Sequence, residues 1–231
     1  MKNIVAVILA SAAVFFMLTC NTFDSAPKFP NMVADVDPFS VGTIEAVFDR
    51  VFSANLNKLP VEVIFHPRHN TVSLEFRYEL MNYRQYWDAL GRQQFASALN
   101  MYKKDYADRN LGTKYRKTRA VYGKVNGRVE WETFKFSKTR IAYPVIDLGY
   151  RFKRETPFFA TNMRSAKEEN SVKDGSDASE SLQITMYFTR AQADDLVALF
   201  DQSYLMGLLD TKEIPEPEEI PVETDFYKEW D

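Results

Sequence analysis

The sequence predicts an α+β domain: a mostly antiparallel sheet of about six or seven strands with two main helices packed on one face. Three observations carry this. Apolar and polar residues alternate at Val61, Val63 and Phe65, at Val72, Leu74, Phe76 and Tyr78, and at Ile146, Leu148, Tyr150 and Phe152. That period of two belongs to strands with one dry and one wet face. The strands are joined by short turns, which favours antiparallel neighbours. Two long segments instead place apolar residues three and four apart behind N-capping residues, the pattern of helices laid on a core.

Taken along the chain, the elements begin at Ile44, Val47, Phe48, Val51 and Phe52, whose 3-4-3 spacing predicts a short helix capped by Thr43. Strands around Val61–Phe65 and Val72–Tyr78 follow, joined by His66-Pro67-Arg68-His69-Asn70. There Pro67 pre-sets a turn dihedral and Asn70 tolerates a left-handed one. Asn82 with Gln85 resembles a capping box. From it Tyr83, Tyr86, Trp87, Leu90, Phe95, Leu99 and Tyr102 predict a helix from Tyr83 to Asp108, ended at Asn110-Leu111-Gly112. Asn126-Gly127 suits a type I′ hairpin turn, which would pair Tyr122 with Trp131 and Lys124 with Val129. Strands at Val145–Lys153 and Phe158–Ser165 come next, then a polar segment over 167–180 that reads as a mobile loop. Leu182, Ile184, Met186 and Phe188 restore strand alternation, and Thr189 with Gln192 opens a final capped helix.

The remainder divides into a signal peptide over 1–19, a tether over 20–42, a single domain over 43–209 and an acidic, proline-rich tail over 210–231. Lys2 and the apolar run Ile4–Leu18, broken by Ser11 alone, have the layout of a secretory signal. As a helix that run reaches about 22 Å, short of the roughly 30 Å hydrocarbon layer a permanent span must cross. Cys20, the sole cysteine, sits at its exit. In an oxidising compartment an unpaired thiol is a liability, whereas a lipidated one is not. Met17-Leu18-Thr19-Cys20 resembles the lipobox cleaved by signal peptidase II in bacterial lipoproteins. Leu18 and Thr19 stand where small residues are usual, so the likeness is closest to the looser lipoboxes of spirochaete lipoproteins. The rest of the chain is similar to an uncharacterised lipoprotein family of such organisms. The resemblance implies acylation of Cys20 and a membrane-anchored place in the cell envelope, and it carries no activity.

Chemistry leaves few marks. The chain has only 8 Gly and 2 His, with no phosphate-binding glycine loop, nucleophile elbow, His-Glu-x-x-His or second cysteine, so no cofactor is expected. His66 and His69 bracket a turn and, with Glu62, are the nearest approach to a metal site; solvent-facing turn residues are the reading adopted, and no metal is expected. A net charge of −3 gives no argument for nucleic acid. Locally the balance is uneven. Between Lys103 and Arg154 stand 15 Lys or Arg against 5 Asp or Glu, whereas Asp210–Asp231 holds 9 acids against Lys212 and Lys228. Lys114, Arg116, Lys117, Arg119, Lys124 and Arg128 are therefore candidates for an anionic glycan or protein partner. Phe226, Tyr227 and Trp230 make the tail a candidate docking segment. The functional expectation is an envelope lipoprotein with a non-enzymatic binding or scaffolding role. The alternative is an enzyme acting on envelope polymer through surface carboxylates such as Glu130 and Glu132.

Overall fold

The structure, a computed structural model, describes residues 31–49, 56–112, 119–133, 138–169 and 179–211. Its elements are β1 (Phe39–Asp49), β2 (Leu56–His66), β3 (Thr71–Tyr78), β4 (Met81–Trp87), α1 (Ala89–Ala107), β5 (Arg119–Asn126), β6 (Arg128–Glu132), β7 (Arg140–Ala142), β8 (Val145–Lys153), β9 (Thr156–Met163), β10 (Ile184–Phe188), α2 (Arg190–Phe200) and α3 (Gln202–Thr211). The expectation of six or seven strands under two main helices is thereby corrected. Among the described residues ten antiparallel strands form one sheet, curled into a half-barrel, in the order β5-β8-β9-β10-β1-β2-β3-β4-β6-β7, and three helices accompany it.

Three local misreadings account for the difference. The predicted first helix is the strand β1. A bulge between Ser40 and Gly42 and burial of Ala46, Val47 and Phe48 in succession blur its alternation, because Val47 meets Tyr187 in a small apolar cluster apart from the main core. The predicted long helix starts late. Tyr83, Gln85 and Trp87 are the buried residues of β4, and the helix opens only at Asp88, whose side chain accepts from the Gly91 amide at 2.6 Å.

The third misreading is Asn126-Gly127, which makes no hairpin. Tyr122 and Lys124 do not pair with Trp131 and Val129; β5 pairs with β8, and β6 lies between β4 and β7. The chain runs on from β5 into β6 through Gly127, and from β7 into β8 through Tyr143-Pro144. One register spans both junctions: Val125 opposes Ile146, Asn126 opposes Val145, Val129 opposes Ala142, and the Gly127 N–H donates to the Pro144 carbonyl at 2.9 Å. The two ends of the strand order are thus one bent two-stranded ribbon, joined to β9 through β8 and to β4 through β6. Gly127 leaves room at the bend for Ile146, whose Cδ1 would have to shift from a Cβ 2.6 Å away.

The core lies on the inner face of the sheet, beneath the helices. Phe95 of α1 is its centre: its ring meets Phe159 at 5.1 Å, Phe200 at 5.4 Å and Trp87 at 5.7 Å. Such edge-on aromatic contacts add to what burial alone gives. The capping box expected at Thr189 and Gln192 is present in both directions. Lys167 and Glu180 form an isolated antiparallel bridge; residues 170–178 between them, where the sequence predicts a mobile loop, lie outside the described residues.

Candidate functional site

Two polar surfaces occupy the outer face, where alternate strand residues point away from the core. The first lies over β5, β8 and β9. Arg119 and Arg151 are direct cross-strand partners there. Like charges placed opposite one another cost stability, and among the described residues neither arginine makes an ion pair. They border a groove of about 510 Å³ whose floor is Gly149 and Ala160 and whose far wall is Asn162, Arg164 and Gln183. Arg164 is held by Asp147 through two bonds of 2.8 and 3.0 Å. Asn162 accepts from Gln183 and Thr185, each at 2.9 Å. Gly149 lets the ribbon close up at the bulge beside it, since a Cβ there would sit 1.9 Å from the Ala120 carbonyl oxygen.

The second surface lies over β3, β4 and β6 and is a ladder of alternating charge. Arg84 bonds Glu75 on one side and Glu130 on the other, the latter at 3.2 Å; Arg128 also bonds Glu130, and Tyr86 donates its hydroxyl to the same carboxylate at 3.1 Å. Ser73 Oγ stands 2.8 Å from His66 Nε2 and 3.3 Å from a Glu75 carboxylate oxygen, so it links the imidazole to the ladder. Burial pushes the His66 pKa down to about 4, opposed in part by Glu75. A cleft of about 280 Å³ opens beside the ladder, with Glu75, Glu130 and Glu132 on its lining. Its acids converge on Arg84 and Arg128 rather than on open space, and Asn82 donates to Glu132 at 3.4 Å.

Residues 39–207, from the first residue of β1 into α3, match the family described as Uncharacterised Treponema protein. The chain belongs to this family. No curated protein and no solved structure matches it. The family assignment, to a spirochaete genus, agrees with the uncharacterised family expected from the sequence and adds no activity.

Within this Treponema family domain the sequence-derived candidates separate. Arg119 and Lys124 lie on β5, and Arg119 borders the outer groove; Arg128 lies on β6 and is neutralised by Glu130. Lys114, Arg116 and Lys117, like Cys20 and the tail aromatics Phe226, Tyr227 and Trp230, fall outside the described residues. His66 turns to Ser73, and no group of three His, Cys, Asp or Glu side chains capable of holding a metal occurs among the described residues. Among the same residues no helix is long and apolar enough to cross a membrane. Sequence reasoning missed Arg151 and Arg164. Only the register, which sets Arg151 against Arg119, reveals them as part of the groove.

Proposed function

We propose that this protein is a lipid-anchored envelope protein whose β domain is a non-enzymatic binding module for an anionic glycan or protein. The observation that carries the binding half is the facing pair Arg119 and Arg151, without a described carboxylate partner, beside an open groove. An anion seated between them would relieve their repulsion while gaining two charge-assisted contacts. Engagement of Glu130 by Arg84, Arg128 and Tyr86 favours this reading over the enzyme alternative, because a hydrolytic carboxylate pair has to face its substrate. The anchoring half rests on the signal-like run and Cys20.

Titration with heparin and with poly-glutamate tests the binding half. The double variant Arg119→Ala/Arg151→Ala is expected to lose at least tenfold in affinity, and wild-type affinity to fall as salt rises; Lys58→Ala on β2 serves as control. Equal binding by wild type and double variant would remove the proposal. For the anchor, mass spectrometry of membrane-extracted protein is expected to find acyl chains on Cys20, and Cys20→Ala to release the protein into the aqueous fraction.

A further inference from the structure

A third feature lies away from both outer surfaces, at the junction of the helices. Arg92 of α1 is only 3% exposed, yet among the described residues it has no carboxylate partner. Its guanidinium donates to neutral oxygens alone: Nη1 to the Asn70 and Trp87 carbonyls at 3.0 and 3.2 Å, Nη2 to Asn70 Oδ1 at 3.1 Å and Gln202 Oε1 at 2.5 Å. The two nearby acids are turned elsewhere. Asp88 caps α1 through the Gly91 amide, and Asp201 accepts from the Tyr204 amide at 2.8 Å. Burial draws the Arg92 pKa down to about 10, with Asp88 opposing. A buried cation left without a counter-charge is costly, and proteins keep such groups where something else offsets the cost.

Arg92 also borders a groove of about 410 Å³ between α1 and the pair α2 and α3, within the range that small ligands occupy. Ala89, Ala96, Val197 and Phe200 supply its apolar wall, and its polar lining is Asn70, Gln93, Gln202 and Asp201, the last with its carboxylate engaged by the Tyr204 amide. An apolar trough ending at an unneutralised guanidinium has the chemistry of a carboxylate with a hydrocarbon tail. We propose that this groove binds a single-chain carboxylate lipid, its headgroup at Arg92 and its tail along Ala96 and Val197. The site is separate from the Arg119–Arg151 groove, and either can stand without the other.

Calorimetric titration of the full chain in detergent-free buffer with decanoate, below its micelle concentration, tests this, with decanol as the uncharged comparison. Decanoate is expected to bind at least tenfold more tightly than decanol. Val197→Trp and Ala96→Trp, which fill the trough from opposite helices and leave Arg92 in place, should each lower decanoate affinity at least tenfold. Circular dichroism identifies whichever of the two retains the wild-type fold, so the outcome is not read from an unfolded chain. Absence of decanoate heat, equal binding of decanol, or undiminished binding by the folded tryptophan variants would overturn the site and leave Arg92 as a clamp on the Asn70 turn.

Discussion

His66 and Glu130 are where single residues bear most on stability. In the folded chain the imidazole titrates near 4, below its ordinary 6.5, so as pH falls the unfolded chain takes up the proton first. The stability His66 contributes is therefore complete above about pH 6.5 and is lost as pH drops from there to about 4. Urea midpoints at pH 7.5 and 4.5 should differ by less in His66→Gln than in wild type. Glu130 is the common acceptor for Arg84, Arg128 and Tyr86, so Glu130→Ala removes three bonds at once, leaving Arg84 with Glu75, and should cost about 1–3 kcal/mol, read from the same denaturation curves. Neither role was visible in the sequence. The ladder links Glu75, Arg84 and Glu130 over 55 positions of chain, and no spacing rule reaches that far. The alternation that set Glu130 and Glu132 on the same side of one strand was legible, but Glu130 is buried rather than exposed; the arginines that engage it come from the register of β4 against β6 and from β6 itself.

Among the elements, those fixed by local chemistry were readable and those fixed by distant partners were not. The Thr189 box specifies its helix within four residues, and replacing Thr189 with Ala should cost about 1 kcal/mol. The strands β2, β3 and β8 alternate cleanly because one face of each is dry. β1 was misread because neighbours bury both of its faces, and β4 because Tyr86 and Trp87 happen to continue the spacing of α1. Asn126-Gly127 has every local property of a turn, yet β8 on one side of it and β4 on the other offer longer ladders than the hairpin would. Glycine substitutions separate these cases. Gly149→Ala drives a Cβ into the Ala120 backbone and should destabilise by about 3 kcal/mol, whereas Gly207→Ala, in α3 with nothing within 4 Å, should stabilise by about 0.5–1 kcal/mol. Thermal or urea unfolding of the pair checks both signs.

For the whole molecule, the sheet and its helices share one aromatic core, so unfolding should be a single transition. Phe95→Ala, which empties the centre of that core, should cost about 3–5 kcal/mol and lower the melting of α1, α2 and the sheet together, followed by far-ultraviolet and near-ultraviolet dichroism in parallel. Of the fold class only the antiparallel character of the strands was readable; the number of strands and helices and the curl were not, and the curl depends on the ribbon that passes through Gly127 and Pro144. That ribbon has a kinetic consequence. An open sheet frays from its outermost strand, but here each outermost strand continues covalently into one held at the opposite side, so neither can unzip alone. Amide protons of β5 and of β6 should then exchange through the same global opening as those of β2 and β3, and the last event of refolding should be the seating of the ribbon against both β4 and β9.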